Sequence, residues 1–297
     1  MIYKNSMKLL TSNFGFVWKQ LAYTIVRVAI IIGLTLLAAY PIVGLLRAND
    51  FFVTISNFGK DIYTDTLGAF GSLQLVITQF FNIIGSNFGK IWYAVLLLFF
   101  IVLVINSFLK SIGKYTLTSI AHSQFTSQTA KGYCHTLVAE FKKASIYALC
   151  MLAVNLPFCL IKIIFIAFYC SVINNWILAT LGITLLVILF TITYSLQLAT
   201  CHNCAVSIIE TGRLPFKSIL NAFSSFKEFG KVFSNAIIVV LTIMVVNLAI
   251  GLFTIGAGLL ITVPASMCFA AIFQLISYYN LAKQRYYLSS NIIVDAI

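Results

Sequence analysis

One lysine of this sequence stands where a lysine is costly, in the middle of a long apolar stretch. Lys162 follows a proline and has isoleucine and phenylalanine on both sides. A basic side chain at mid-membrane costs about 2.5–3.5 kcal/mol on insertion scales and often marks a binding site or a pathway. In that role Lys162 would bind an anionic substrate or headgroup. The apolar stretches also hold amides that could line the same site, namely Asn155, Asn247 and Gln274.

Two other interpretations of these polar residues stay open. A lysine can extend its stem along apolar surface and hold its ammonium group among the headgroups. Lys162 lies about eight residues, or roughly 12 Å, from the predicted outer end of its stretch, so part of that distance is within its reach. Amides inside spans more often join helices by hydrogen bonds than bind ligands. The sequence therefore predicts a candidate substrate site, with snorkelling and helix–helix contacts as alternatives.

A second group of residues with ligand chemistry lies at the predicted inner end of the fourth apolar stretch. Cys201 and Cys204 form a C-x-x-C pair with His202 between them. With Cys134 and His135 on the same predicted side, they could supply four soft ligands for zinc, or the pair alone could form a redox dithiol. The second pair lacks the C-x-x-C spacing, and covalent haem needs histidine directly after the second cysteine. We favour packing, so no cofactor is expected and zinc is the weak alternative.

The residues that enzymes and proton pumps need inside a membrane are missing from the apolar stretches. All seven acidic residues and all three histidines lie in loops or at the ends of these stretches. Proton-coupled transporters usually carry Asp, Glu or His inside their spans as relays, so proton coupling is not expected. The sequence also has no H-E-x-x-H, no G-x-S-x-G and no phosphate-binding loop. We therefore expect no enzymatic activity, and energy coupling would need an ATPase from another chain.

The elements that must position these residues follow from composition. The chain is 61% hydrophobic and 9% charged, whereas an ordinary soluble domain carries about 25% charge. Runs of about 20 apolar residues match a hydrocarbon core of roughly 30 Å. We therefore predict an all-α, polytopic membrane protein, one domain over 1–297, with six transmembrane helices in three hairpins. The predicted spans are 21–46, 91–109, 144–170, 176–200, 232–255 and 259–281.

Lysines and arginines alternate between the two sides of these spans. The segments before the first span and after the second, fourth and sixth spans hold 14 of the 19 basic residues. Basic loops are retained in the cytoplasm, so both termini are predicted to be cytoplasmic. The net charge of +12 is spread over these loops rather than gathered in one patch. It therefore favours a bilayer with anionic headgroups, and no nucleic acid, as the partner.

Two kinds of amphipathic helix are expected beside the spans. Residues 66–85 carry no charge and have one-sided apolar residues at helical spacing. A seventh span there would reverse the charge bias, so we predict an interfacial or re-entrant helix on the outer face, with a true span as the alternative. On the inner side, a basic amphipathic stretch precedes each hairpin, at 7–19, 133–143 and 216–231.

The third inner stretch carries a family resemblance. Residues 207–214 with their Glu210-x-Gly212 turn, together with 220–223 and 226–227, resemble a loop of uncharacterised bacterial six-span membrane proteins. These include the membrane domain attached to some glycerophosphodiester phosphodiesterases. Their metal-binding catalytic domain has no counterpart here, so that activity is not implied. The resemblance covers the last third of the chain and implies a fold and a bacterial cytoplasmic membrane, without an assigned chemistry.

The same stretch is the natural surface for a cytoplasmic partner such as an ATPase, because it is basic, amphipathic and on the predicted inner side. Its candidate docking residues are Glu210, Arg213, Lys217 and Lys227. We therefore predict a non-catalytic accessory, assembly or scaffold component of the bacterial cytoplasmic membrane. The alternative is a carrier or permease component for a small anionic or amphipathic solute, which would use Lys162 and the span amides.

Overall fold

The computed structural model describes residues 2–64, 68–129, 131–172, 176–212, 219–220, 223, 225–289 and 292–294. The helices are, in chain order, α1 (Ile2–Ser12), α2 (Gly15–Ala48), α3 (Phe51–Thr64), α4 (Ala69–Ser86), α5 (Phe88–Phe99), α6 (Asn106–Ser127), α7 (Tyr133–Ala139), α8 (Phe141–Val172), α9 (Trp176–Thr200), α10 (Cys204–Thr211), α11 (Phe226–Phe253) and α12 (Leu259–Ala282). Two strands follow them, β1 (Tyr286–Ser289) and β2 (Ile292–Val294).

Six helical segments of the described chain are long and apolar enough to cross a membrane. They are Gly15–Ala48, Phe88–Ser127, Phe141–Tyr169, Thr180–Thr211, Phe226–Phe253 and Leu259–Ala282. Each overlaps one predicted span. A helix satisfies its backbone hydrogen bonds internally, as hydrocarbon requires. The prediction of an all-α, multi-pass membrane protein with six spans is therefore confirmed.

The second of these segments extends far beyond its predicted span. Phe88–Ser127 has 40 residues, which at 1.5 Å per residue is about 60 Å, roughly twice the hydrocarbon thickness. It passes from α5 through a π-helical stretch, Phe100–Ile105, into α6. Residues 110–127 thus continue the helix where the sequence suggested only an inner connection. Much of α6 is buried, including Tyr115 and Leu117.

The chain divides into two compact units. The first comprises Met1–Val28, Ser107–Asn155 and Thr191–Ile297, and the second comprises Ala29–Asn106 and Leu156–Phe190. The expectation of a single membrane domain stays a prediction.

The core of the first unit forms where α1 packs against α11 and α12. Leu9 and Leu10 are buried on one face of α1 and join Phe273 of α12 in one apolar cluster. Lys4 and Lys8 lie on the exposed face of the same helix. α1 is therefore amphipathic, as its stretch of sequence predicts, but protein covers its apolar face.

The three inner amphipathic stretches are helical over most of their described residues. Residues 7–19 are shared between α1 and α2, 133–143 between α7 and α8, and 216–231 reach into the start of α11. In the first stretch, Phe14 and Trp18 are exposed and their rings meet edge to face. Exposed aromatic rings beside basic residues are typical of a membrane–water interface.

A short antiparallel hairpin ends the described chain, and the sequence prediction omitted it. Tyr286 pairs with Val294, and Tyr287 pairs with Ile293. Aromatic and β-branched residues favour a pleated, half-buried surface, which accounts for the strands locally. β1 also packs on α1, so this hairpin fixes the N-terminal helix to the end of the last span.

The second unit contains two further helices between the first and second spans. The helix predicted at 66–85 is observed as α4, Ala69–Ser86, over its described residues. The sequence prediction omitted α3, which packs against α4. Phe51 of α3 and Ile83 of α4 share an apolar cluster with Ile91 of α5. The predicted additional helix is thus observed, and its interfacial or re-entrant position on the outer face stays a prediction.

Candidate functional site

Lys162, the most conspicuous candidate, lies on α8 in the second unit and is partly buried. Its Nζ stands 5.1 Å from the centre of the Phe190 ring. A cation over an aromatic face is stabilised by the ring quadrupole, by about 0.5–2 kcal/mol depending on desolvation. The ring therefore gives the ammonium group a favourable neighbour inside the second unit without a bound anion.

The three candidate amides lie in the first unit, and two of them join helices. Asn247 Nδ2 donates to the Ile243 carbonyl at 2.8 Å and to Ser266 Oγ at 2.9 Å, which connects α11 to α12. Gln274 Nε2 donates to the Leu198 carbonyl at 3.1 Å and connects α12 to α9. Amide hydrogen bonds of this kind hold helices together in lipid.

Asn155 is partly buried on α8 and makes no side-chain hydrogen bond to the described residues. Because Asn155, Asn247 and Gln274 belong to the first unit and Lys162 to the second, a shared substrate site stays a prediction. One open groove of about 750 Å³ occurs in the second unit and contains none of these four residues. α2 lines it with Ile30, Gly33, Leu34, Leu36, Leu37 and Tyr40.

The cysteine pair lies in an apolar environment. Cys201 and Cys204 are buried and pack in a cluster with Tyr147. His202 is also buried, and its Nδ1 lies 2.7 Å from the Ala199 carbonyl. Within the described residues, no group of three or more His, Cys, Asp or Glu side chains could hold a metal ion. The role of the pair in packing stays a prediction.

Of the candidate docking residues, Glu210 and Lys227 can be placed. Glu210 accepts a hydrogen bond from the Tyr278 hydroxyl at 3.2 Å. It belongs to α10, which is followed by Gly212 as the capping residue. Gly212 has a left-handed φ of 67°, a conformation that glycine adopts without strain. Lys227 is exposed in the first turn of α11. Arg213 and Lys217 lie outside the described residues.

Sequence reasoning missed a polar cluster around Glu140, just before α8. The Glu140 carboxylate accepts hydrogen bonds from Ser119 Oγ at 2.8 Å and from the Tyr115 hydroxyl at 3.2 Å. Lys131 Nζ stands 3.5 Å from the same carboxylate. We call Tyr115, Ser119, Lys131 and Glu140 the Glu140 cluster. It fixes the C-terminal part of α6 to the start of α8.

A second chain of polar contacts starts from His122, also on α6. His122 Nδ1 lies 2.7 Å from the Tyr279 hydroxyl of α12. The Tyr279 ring stacks on Tyr286 of β1 with centroids 5.4 Å apart. Asn5 Nδ2 of α1 donates to the Tyr286 hydroxyl at 2.7 Å. Burial raises the pKa of Tyr286, so its hydroxyl stays protonated at neutral pH. We call these four residues the His122 chain.

The residues of both groups could be read in the sequence, but no local pattern indicated that they would contact one another. The Ser- and Thr-rich stretch 110–127 follows a span and holds residues of both groups. Comparisons with protein-family models, curated proteins and solved structures find no match. The resemblance of the last third of the chain stays a prediction.

Proposed function

We propose that this chain is a non-catalytic accessory, assembly or scaffold component of a bacterial cytoplasmic membrane, with both termini in the cytoplasm. The observation that carries the proposal is the use of interior polar groups to join helices. Gln274 and Asn247 bond across helix pairs, and the Glu140 cluster connects α6 to α8. Side chains engaged in this way hold a framework together rather than present themselves to a passing solute.

An exposed surface of basic and aromatic residues supports contact with anionic headgroups. Lys4, Lys8 and Lys19 are exposed near the start of the first span, beside Phe14 and Trp18. Each lysine near an anionic surface contributes about 1 kcal/mol to membrane attraction. Aromatic side chains favour the same interface because one end is apolar and the other tolerates water.

The start of α11 is the surface best suited to a partner protein. Phe226 is 90% exposed and stands beside exposed Lys227. Phe253, at the other end of the same helix, is also 90% exposed and supplies a matched control. A large apolar side chain next to a cation, displayed on the predicted cytoplasmic side, suits an anchor residue of an interface.

We expect Phe226→Ser to remove the chain from a larger complex, whereas Phe253→Ser leaves the complex intact. Truncating an interface anchor typically costs 2 kcal/mol or more, which is about a thirtyfold loss of affinity. The measurement is native electrophoresis of membranes solubilised in a mild detergent, with the tagged chain expressed at its natural level. Thermal unfolding of both variants controls for folding.

The carrier alternative makes the opposite prediction in the same membranes. A wild-type chain that migrates alone would contradict the accessory role. Loss of uptake or export of an anionic solute in Lys162→Met, with stability unchanged, would favour a carrier. Equal loss of the complex in Phe226→Ser and Phe253→Ser would remove the start of α11 as the docking surface.

The proposed orientation has its own expected result. Alkaline phosphatase fused after Asn49 should be active, because that position follows the first span and is predicted to be outside. The same enzyme fused after Thr129, which follows the second span, should be inactive, and a fluorescent protein fused there should be bright. The reverse pattern at both positions would show that the basic segments face outward.

A further inference from the structure

A second cation lies inside an apolar span, and part of its hydrogen-bonding capacity is unused among the described residues. Arg27 belongs to α2, and its Nε and Nη1 atoms are buried without a hydrogen bond to any described residue. Thr24 stands one turn earlier on the same face of the helix, and its Oγ1 is likewise buried and unpaired. Buried polar atoms are nearly always hydrogen-bonded in proteins. Arg27 and Thr24 are adjacent exceptions, and both can donate hydrogen bonds, so their unpaired state needs an explanation.

The surrounding side chains hold their positions without using these donors. The Tyr23 hydroxyl donates to the Leu109 carbonyl at 2.6 Å. The Tyr133 hydroxyl lies 3.3 Å from both Gln20 Oε1 and the Gly113 carbonyl, so its hydrogen is also engaged. A Cβ at Gly113 would collide with the Tyr23 ring, so only glycine allows this close approach. The rings of Tyr23 and Tyr133 are therefore held in place beside donors of Arg27 and Thr24 that make no hydrogen bond to the described residues.

The charge of the guanidinium is also uncompensated. The titratable groups that act on Arg27 among the described residues are Tyr23 and Tyr133. Burial raises the pKa of Tyr133 far above its ordinary value, so this phenol is neutral at pH 7. Glu140 and Glu210 of the same unit already accept hydrogen bonds from other hydroxyl groups. A partly buried cation without an anion is destabilising, and an incoming anion would offset that cost.

We propose that Arg27 and Thr24 bind a phosphate group, either of an anionic phospholipid or of a free phosphate. The planar guanidinium presents parallel N–H donors that match two phosphate oxygens, and the Thr24 hydroxyl supplies a further donor one turn away. Arg27 lies about six residues, or roughly 9 Å, inside the predicted inner end of its span. Its side chain can therefore reach the headgroup layer. This site goes beyond the proposed function and does not depend on a partner protein.

The test uses the purified full chain, depleted of lipid, in micelles of a neutral detergent. Tm is measured with inorganic phosphate against chloride of equal ionic strength. It is also measured with a short-chain phosphatidylglycerol against a diacylglycerol of the same chain length. We expect a phosphate compound to raise the Tm of the wild type, since a ligand of the folded state stabilises it. A response to phosphatidylglycerol alone identifies the lipid, and a response to both shows that free phosphate suffices.

Arg27→Gln is expected to weaken this binding by about tenfold or more, since hydrogen bonds from a charged donor contribute at least 1.5 kcal/mol. Without ligand, the same variant should have a Tm equal to or above that of the wild type, because it removes an uncompensated charge. Arg47→Gln, at the exposed far end of α2, is the matched control and should keep the full response. Thr24→Val retains the cation and should weaken binding about fivefold.

Two results would overturn the proposal. One is a wild type whose Tm responds to neither phosphate compound beyond the chloride and diacylglycerol controls. The other is a response of the same size in Arg27→Gln, or in Thr24→Val should Arg27→Gln not fold. A merely structural role for Arg27 would lower the ligand-free Tm of Arg27→Gln and leave the response to phosphate unchanged. None of these outcomes depends on the native-gel result for Phe226.

Discussion

Replacing Tyr279 by alanine should lower the free energy of unfolding by about 3–5 kcal/mol, the usual cost of removing a large buried ring. Tyr279 is fully buried on α12 and belongs to the main apolar cluster of the first unit. Its hydroxyl contacts His122, and its ring stacks on Tyr286. The substitution therefore leaves a cavity and also separates α6 from the C-terminal hairpin. Thermal unfolding in detergent micelles, followed by circular dichroism, measures the loss.

Two further variants separate the ring from its hydroxyl group. Tyr279→Phe keeps the ring and removes one hydrogen bond, so we expect a loss of about 1 kcal/mol. Tyr278→Ala is the matched control, because its neighbouring ring is only partly buried and its hydroxyl contacts Glu210 near the surface. Equal destabilisation by Tyr278→Ala and Tyr279→Ala would mean that the His122 chain does not organise this unit.

The spans could be predicted from sequence because membrane crossing depends on local quantities. An apolar run of sufficient length must be helical in hydrocarbon, whatever its neighbours do. All six predicted spans were therefore found, and α4 was recognised by helical spacing over residues that carry no charge. α3 was missed because its charged residues Lys60 and Asp61 interrupt an apolar stretch too short to be recognised as a span.

The C-terminal part of α6 could not be predicted, since its helix depends on contacts distant in sequence. Residues 110–127 are rich in Ser and Thr, which compete with helical backbone bonds in isolation. In the structure Thr116, Thr118 and Ser123 instead donate back to carbonyls of their own helix, and Ser119 donates to Glu140. Tertiary packing thus overrides a weak local propensity.

For the candidate site, too, the unusual residues could be recognised from sequence, whereas their contacts could not. Lys162 was conspicuous because a lysine among isoleucines needs no structure to be noticed, whereas its contact with Phe190 has no sequence signal. Arg27 is also a cation within a predicted span, 21–46. That two of its nitrogen atoms are buried without a hydrogen bond to any described residue can be recognised only from the structure. There α2 packs beside Tyr133, a residue 106 positions later in the chain.

Glu140→Ala should lower the free energy of unfolding by about 2–4 kcal/mol, because it leaves two buried hydroxyl groups without an acceptor. Ser119 and Tyr115 are both fully buried, and both donate to this carboxylate. The ion pair with Lys131 adds little, because the lysine side chain is 41% exposed and solvent screens the interaction. The expected loss therefore arises from the unpaired hydroxyl groups.

Three control variants distinguish whether Glu140 stabilises the fold through its hydrogen bonds or through its charge. Lys131→Ala removes the ion pair alone and should cost less than about 1 kcal/mol. Glu140→Gln keeps an acceptor oxygen without the charge, so its loss should be intermediate. Glu228→Ala changes an exposed acid in the first turn of α11 and should also stay within about 1 kcal/mol. If Lys131→Ala were as damaging as Glu140→Ala, the ion pair would be the main contact. The C-terminal part of α6 would then be held by charge, and its attachment to α8 would weaken as the salt concentration rises.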